Sequence, residues 1–123
     1  MNEITMENNC TLAWFLTDNN EDGIREEYYL PQLSTYDNGE DWILKQHLLF
    51  HEDWNWIELV LDKIQSLGYI VSIKSDCDRS EIHIYEFDED AEVVSYVYLE
   101  DVNKLRGVNQ ACLKFIEQYN GDI

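Results

Sequence analysis

The chain has 123 residues, of which 45% are hydrophobic and 13% aromatic, so it is long enough for one domain with its own core. Eight Lys and Arg residues stand against 26 Asp and Glu residues, and the formal net charge of −18 excludes direct binding to nucleic acid or to an anionic membrane surface. There is no apolar run of the roughly 20 residues that a membrane helix needs, no visible secretory signal, and an odd number of cysteines without a CxxC pair. We therefore expect a single domain over residues 1–123, with reduced thiols, in the cytoplasm of a host cell.

The N-terminal third is the least regular part of the sequence. Residues 12–16 form a short apolar patch without a clear period, and residues 18–23 and 36–39 have the Asp, Asn and Gly composition of turns. Residues 28–31 suggest a short strand, which Pro31 confines to a sheet edge or a strand end. Residues 42–50 are apolar enough to pack, but their spacing favours neither helix nor strand.

The run HEDWNWIELVLDKIQSLGY at positions 51–69 contains the clearest helix signal. Its apolar residues recur at helical spacing: Trp54, Ile57, Val60, Leu61, Ile64 and Leu67. Asp53 is suited to the N-cap, and Gly68 to the position after the helix. This pattern predicts that Trp54 points into the core. Trp56 lies about 200° further round the helix, on the flank, so the two tryptophans cannot form a stacked platform.

After this helix the period of the apolar residues changes to two, which indicates β-strands. Three strands are predicted, over residues 69–74, 81–87 and 92–99. Val71 and Ile73 share one face, Ile82 and Ile84 are expected to be buried, and the short connections favour antiparallel hairpins. A second amphipathic helix follows and ends near residue 120, with the apolar stripe Val102, Leu105, Val108, Cys112, Phe115, Ile116 and Tyr119.

Together these elements predict an α+β fold, a three-stranded antiparallel meander with two main helices packed on one face. The other face would carry Tyr85 and Phe87, and either Val94, Tyr96 and Tyr98 or the alternate set. An aromatic face rimmed by acids is a candidate binding surface, although the N-terminal segment could instead cover it. An uncovered face would also suit a dimer, so the oligomeric state stays open.

Motifs for catalysis or metal binding are incomplete. Residues 18–23 match the opening of an EF-hand loop, but Tyr29 occupies the place of its bidentate Glu, which favours an Asx-rich turn. His47 and His51 have the spacing of metal ligands on a helix, but no Glu follows His47. There is no Gly-rich phosphate loop and no nucleophile motif. We therefore expect no enzyme, no metal site and no cofactor.

Acidic residues are concentrated between positions 76 and 101, where ten acids are opposed by Arg79 alone. This segment holds half of the net charge. It can serve solubility alone, or it can compete with nucleic acid for a groove lined by Lys and Arg. On the second interpretation, the candidate partner-binding residues are acids and tyrosines of the hairpins: Asp76, Asp78, Glu81, Glu86, Asp88, Glu89, Asp90, Glu92, Tyr85, Tyr96 and Tyr98.

Two stretches, residues 50–69 and 108–120, resemble a family of small uncharacterised proteins from phages and mobile elements of Bacteroidota. The first is similar to the signature F-H-x-S-W-D-W-L-x-x-V-x-x-K-I-x-x-L-G, and the second to the ending A-V-Y-N-A-C-V-E-F-I-K-W-Y-N. The matched residues are Phe50, His51, Trp54, Trp56, Val60, Lys63, Ile64, Leu67, Gly68, Ala111, Cys112, Phe115, Ile116, Tyr119 and Asn120. Asp53 replaces a Ser of the signature, and Asn55 an Asp. Because these are mainly packing positions, the resemblance implies a shared fold and genomic context and no particular mechanism.

The mobile-element context implied by this resemblance, together with the acidity, predicts an inhibitor of host defence. Small, strongly acidic proteins of such elements resemble anti-CRISPR proteins and anti-restriction mimics of nucleic acid. The expected partner is a basic nucleic-acid-binding host protein, with an RNA-guided type VI effector as the specific candidate, bound stoichiometrically by the acidic hairpins. Two alternatives are a phage accessory protein that binds another protein through the aromatic sheet face, and an immunity protein against a basic toxin nuclease.

Overall fold

A computed structural model describes residues 2–17, 26–30 and 42–121, with side chains up to residue 119. The helices and strands in this part are α1 (Glu3–Thr17), β1 (Glu27–Tyr29), β2 (Trp42–Leu44), α2 (Trp54–Ser66), β3 (Ile70–Ser75), β4 (Ser80–Phe87), β5 (Val93–Asp101) and α3 (Lys104–Gly121). β1 pairs with β2, and β3, β4 and β5 form a second antiparallel sheet in that order. The predicted α+β class and meander are confirmed. The turns predicted at 18–23 and 36–39, and Pro31, lie outside the described residues.

Helix α1 is the largest departure from the predicted N-terminal third. It begins after Asn2, whose Oδ1 accepts a hydrogen bond from the backbone N–H of Thr5 at 2.7 Å and so caps the helix. Its buried residues lie in the second half of the helix: Asn9, Cys10, Leu12, Ala13 and Phe15. Because the first half is polar, the apolar period is too short to show in the sequence. The prediction of less regular structure is wrong for residues 3–17.

The short strand predicted near residue 28 is confirmed as β1, and the ambiguous run 42–50 begins as β2. Tyr28 and Ile43 are directly paired across the two strands, and Tyr28 is buried. After β2 the chain makes one 3-10 turn, Lys45–His47, before Leu48 enters the core. This run combines a strand with a 3-10 turn, which explains why no single period describes it.

Helix α2 has the predicted ends but a rotated buried face. The Asp53 carboxylate accepts from the backbone N–H of Asn55 at 2.9 Å, and Gly68 follows the helix with φ of 98°. The prediction for Trp54 is wrong, because Trp54 is 36% exposed whereas Trp56 is 5% exposed. Trp56 shares a face with Val60, and its ring packs edge-on against the ring of Phe50. The buried stripe therefore centres on residues 56, 57, 60 and 64, and Trp54 lies beside it.

Helices α2 and α3 cover one face of the three-stranded sheet, as predicted, and Ile82 and Ile84 are fully buried beneath them. Helix α3 starts one residue after Asn103, whose Oδ1 accepts from the backbone N–H of Arg106 at 2.9 Å. Val102 precedes this cap and is 77% exposed, so its assignment to the apolar stripe is wrong. Among the helices of the described residues, none is long and apolar enough to cross a membrane.

Gly107 allows α3 to approach the sheet closely. A Cβ atom at this position would lie 2.8 Å from Ile82 Cδ1 and 3.0 Å from Asp101 Cβ, both shorter than ordinary van der Waals contact. The missing side chain therefore allows the first turn of α3 to lie close to the beginning of β4. This contact also holds the end of β5 against the helix.

Candidate protein-binding site

The face of the three-stranded sheet opposite the helices carries a row of four rings. The ring row comprises Tyr98, His83, Tyr85 and Phe87, and neighbouring centroids lie 5.7, 4.5 and 5.8 Å apart in that order. His83 is further fixed by a 3.0 Å hydrogen bond between its Nε2 and Ser95 Oγ. Tyr98 and Phe87, at the two ends of the row, are 55% and 53% exposed. The described helices leave these two rings open to solvent.

A β-bulge decides which tyrosines of β5 reach this face. Val97 pairs with Ile84, but the next pair is Ser95 with Tyr85, so Tyr96 is an extra residue in β5. Tyr96 points to the helix side and packs against Tyr69 with centroids 4.8 Å apart. Burial raises the pKa of the Tyr69 phenol above its ordinary value, as expected for a ring within this cluster. Tyr98 therefore lies on the open face, and Tyr96 is removed from the candidate surface.

The turn between β4 and β5 is built around one carboxylate. Asp88 Oδ1 accepts from the backbone N–H groups of Asp90 and Glu92, at 2.9 and 2.8 Å. Ala91 N–H donates to the Asp88 carbonyl, and Ala91 has φ of 60°, the left-handed region that usually requires Gly in a hairpin of this kind. The Asp88 side chain thus holds the turn, whereas the carboxylates of Glu89, Asp90 and Glu92 point outward and are exposed.

Five acids surround this turn, and we call them the acidic tip: Glu86, Asp88, Glu89, Asp90 and Glu92. Within the described part of the chain, none of them makes an ion pair. The residues from 80 to 103 include no Lys or Arg. Phe87 and Val93, which face each other across the two strands at the base of the turn, are 53% and 55% exposed. The tip therefore combines uncompensated negative charge with exposed apolar surface.

The opposite end of the sheet, which we call the paired end, contains five other acids: Asp76, Asp78, Glu81, Glu100 and Asp101. At this end of the sheet, arginine side chains form ion pairs with two of the carboxylates. Arg79 Nη1 lies 2.7 Å from a Glu100 carboxylate oxygen, and Arg106 contacts Asp101 through both Nε and Nη2, at 2.8–3.2 Å. Hydrogen bonds from these guanidinium groups lower the pKa of both carboxyls below the ordinary range.

Another acid of the paired end, Asp76, stabilises the turn between β3 and β4. Asp76 Oδ1 accepts from the backbone N–H groups of Asp78 and Arg79, at 2.8 and 3.0 Å, and these bonds lower the pKa of Asp76. Glu81 lies directly opposite Lys74 in the β3–β4 register and opposite Glu100 in the β4–β5 register. The predicted site residues therefore fall into two groups. The groups lie at the two ends of β4, whose eight residues span about 24 Å at roughly 3.4 Å per residue.

The described residues contain no group of three or more His, Cys, Asp or Glu that could hold a metal ion. His47 is exposed in the 3-10 turn, whereas His51 is half-buried and bonded to Asn9, so the two do not form the helical pair that their spacing suggests. The EF-hand-like residues 18–23 lie outside the described part. Burial raises the pKa of the thiols of Cys10 and Cys112, the latter to about 12, which makes neither an activated nucleophile.

Sequence reasoning missed the difference between the two acidic groups. The relevant cations are distant in sequence: Arg79 meets a residue 21 positions away, and Arg106 lies beyond the acidic segment. Deriving the β4–β5 register from the turn could have placed Arg79 beside Glu100. The bulge at Tyr96 has no comparable sequence signal.

Comparison of the chain with protein-family models, with curated proteins and with solved structures found no match. The resemblance of residues 50–69 and 108–120 to the Bacteroidota mobile-element family therefore stays a prediction.

Proposed function

We propose that this protein is a non-enzymatic inhibitor that binds a basic nucleic-acid-binding surface of a host defence nuclease. The specific candidate is an RNA-guided type VI effector, which would make the protein an anti-CRISPR protein of a phage or mobile element. Inhibition is stoichiometric: the acidic tip occupies Lys and Arg side chains that would otherwise bind nucleic-acid phosphates. The protein acts in the cytoplasm of the host cell.

The observation that carries this proposal is the lack of ion pairs at the acidic tip. Its five carboxylates have no cation partner within the described chain, whereas two of the five at the paired end are neutralised. Carboxylates that the fold leaves unpaired keep their charge for a partner, and Glu89, Asp90 and Glu92 present theirs within one short turn. A groove lined with Lys and Arg complements this arrangement.

Phe87 adds an apolar contribution to binding at the tip, and this contribution does not depend on salt. The Phe87 side chain is 53% exposed beside Val93, which is 55% exposed. Covering an exposed Phe side chain stabilises a complex by roughly 1–2 kcal/mol. The carboxylates supply an attraction that salt screens over about 8 Å at physiological ionic strength. We therefore expect affinity to fall with salt but to keep a residual part that depends on Phe87.

The first test is capture from the lysate of a Bacteroidota host at low and high salt, with bound proteins identified by mass spectrometry. Three baits are compared: the natural protein, a tip variant and a control variant. The tip variant carries Glu89→Lys, Asp90→Lys and Glu92→Lys, and it retains Asp88 because that side chain holds the turn. The control variant carries Glu58→Lys, Asp62→Lys and Glu117→Lys, the same charge change at exposed helical positions.

The expected result is a nucleic-acid enzyme retained by the natural protein and the control variant, and lost by the tip variant and at high salt. Three reversals should weaken binding by roughly 2–3 kcal/mol, or about 30- to 150-fold. Titration into a cleavage assay of the purified enzyme should then reach full inhibition at a fixed molar ratio. Equal loss for both variants, or retention of only partners without a nucleic-acid role, contradicts the proposal.

The ring row favours a second candidate, an accessory protein that binds another protein through the open sheet face. Tyr98 is 55% exposed and lies at the paired end of the row, away from the tip. Tyr98→Ala should abolish this kind of binding, in a salt-resistant manner, and leave tip-mediated binding nearly unchanged. An immunity protein against a basic toxin nuclease would share the charge behaviour of the inhibitor, and it predicts a toxin gene beside this one.

A further inference from the structure

A cleft of about 480 Å³ lies between the first half of α1, the turn at residues 51–52 and the first half of α3. This volume falls within the usual range of small-ligand sites. Five of the side chains that line it are carboxamides: Asn8, Asn9, Asn103, Asn109 and Gln110. We call it the amide cleft. It is separate from the acidic tip, and the proposed inhibitor function does not use it.

Asn109 supplies a fixed acceptor to the cleft. The residue is only 6% exposed, and its Nδ2 donates to the Phe50 carbonyl oxygen at 3.0 Å, which sets the orientation of the amide. The Oδ1 atom then lies on the other side of the amide and makes no hydrogen bond within the described chain. A carboxamide oxygen can accept two hydrogen bonds. Asn109 therefore holds a preoriented acceptor on the lining of the cleft.

His51 supplies a fixed donor. Asn9 Nδ2 donates to the Leu48 carbonyl oxygen at 3.0 Å, so the NH₂ group, and not the oxygen, must face this side. The same Nδ2 lies 2.9 Å from His51 Nδ1, which therefore accepts. The imidazole proton is then on Nε2, and this N–H group lies 3.6 Å from a Glu52 carboxylate oxygen. The Nε2–H donor of His51 and the carboxylate acceptor of Glu52 therefore lie next to each other on the wall of the cleft.

The charge of the cleft excludes an anionic ligand. Arg106 belongs to the lining, but its guanidinium group is bound to Asp101 through three contacts at 2.8–3.2 Å. Glu52 is the other charged residue of the lining. The uncompensated local charge is therefore negative, within a chain of net charge −18. Phosphates and carboxylates are repelled from such a site, whereas a neutral ligand enters without penalty.

The lining also disfavours a flat aromatic ligand. Among the described residues that form the cleft there is no Phe, Tyr or Trp, and a nucleobase would lose the roughly 1–3 kcal/mol that stacking on an aromatic ring provides. A hydroxyl group is both a donor and an acceptor, as a carboxamide is. We propose that the amide cleft binds a neutral polyhydroxylated ligand of the size of a monosaccharide or disaccharide.

The proposal is tested by titrating ¹⁵N-labelled protein with sugars and recording the side-chain NH₂ signals of its Asn and Gln residues by NMR. The probes are glucose, galactose, mannose, N-acetylglucosamine, maltose, lactose and trehalose. Adenosine, uridine and inorganic phosphate serve as probes of the other ligand classes. We expect saturable shifts of the Asn8, Asn109 and Gln110 signals with at least one sugar, at a dissociation constant on the order of 1 mM.

A double variant, Asn8→Ala with Gln110→Ala, should weaken sugar binding at least about tenfold. Both residues are at least partly exposed, so the fold should persist, and Gln118→Ala is a matched control at an exposed position further along α3. Unchanged binding by the double variant, no saturable shift with any sugar, or saturation by a nucleoside or phosphate alone would each overturn the assignment. None of these outcomes bears on the acidic tip, so a failure here is distinguishable from a failure of the inhibitor function.

Discussion

The two ends of the three-stranded sheet carry equal numbers of acidic residues but use them differently. At the paired end, Glu100 and Asp101 are held by Arg79 and Arg106, at 2.7 and 2.8 Å. At the acidic tip, none of the five acids has a cation partner within the described chain. All ten acids contribute equally to the formal net charge of −18. The structure instead separates carboxylates that stabilise the fold from carboxylates that remain available to a partner.

The pKa shifts support this distinction. Arg106 lowers the pKa of Asp101, Arg79 lowers that of Glu100, and backbone N–H donors lower that of Asp76. A carboxyl whose pKa is depressed by folding contributes stability while it is ionised. Removing the charge of Glu100 or Asp101 should therefore cost stability, whereas removing the charge of Glu89, Asp90 or Glu92 should relieve repulsion.

The largest expected effect is at the paired end, where Gly107→Ala would place a Cβ atom 2.8 Å from Ile82 Cδ1 and 3.0 Å from Asp101 Cβ. Overpacking of this kind costs about 1–3 kcal/mol, and the better helix propensity of Ala returns about 1 kcal/mol. We expect the packing cost to exceed the gain in helix propensity, because Ile82 is fully buried and its Cδ1 atom would have to shift within the core. We expect the free energy of unfolding, measured by urea denaturation, to fall by about 1 kcal/mol, and by no more than about 2 kcal/mol.

Gln118→Ala is the matched control, since it adds a strong helix former at an exposed position of the same helix. It should leave stability unchanged or slightly higher. If Gly107→Ala were as stable as this control, α3 could shift away from β4, and the paired end would not be fixed by close packing.

Sequence patterns predicted the parts of the fold in which local and tertiary requirements agree. The three strands alternate cleanly, and α2 has both an N-cap at Asp53 and a terminal glycine at Gly68, so these elements were placed correctly. Trp54 was wrongly predicted to point into the core, because apolar residues that recur every three or four positions leave two possible centres for the buried face in the first turn of the helix. The direction of the sheet decides between them, and that direction is a tertiary property.

Helix α1 was missed because its buried face includes Asn9, a polar residue that burial patterns do not anticipate. Its start was nevertheless marked by Asn2, a favourable N-cap. The candidate site was predicted as one acidic surface, since all of its residues lie between positions 76 and 101. Hairpin geometry places successive turns at opposite ends of a sheet, which divides the surface into two.

A smaller effect is expected at the tip, where Ala91 adopts φ of 60°. This left-handed conformation costs a residue with a Cβ atom about 1–2 kcal/mol, and Gly avoids the cost but loses roughly 0.5–1 kcal/mol of chain entropy. Ala91→Gly should therefore raise the free energy of unfolding by about 0.5–1 kcal/mol in thermal or urea denaturation. Glu89→Gly, in the same turn at a residue outside the left-handed region, should lower it slightly. A stabilised Glu89→Gly variant would show that the gain does not come from the backbone of Ala91.

The smallest effects should have opposite signs at the two ends. Asp101→Asn keeps an Oδ1 acceptor for the Asn103 N–H but loses the charge that binds Arg106, so we expect a loss of stability at pH 7. Asp90→Asn removes a carboxylate that makes no ion pair, so we expect stability to rise, within about 0.5 kcal/mol. High salt should abolish the gain, because it screens the repulsion that the substitution removes.

The pH dependence separates these two effects further. Because folding depresses the pKa of Asp101, its contribution is present above the unfolded value of about 3.9 and is lost as the pH falls through the folded value. The difference between the natural protein and Asp101→Asn should therefore be full at neutral pH and disappear in acid. It can be followed by urea denaturation at a series of pH values. If Asp101→Asn and Asp90→Asn shifted stability in the same direction at neutral pH, the fold would use the charges of the two ends in the same way. The structural contrast would then no longer support the acidic tip as the partner-binding end.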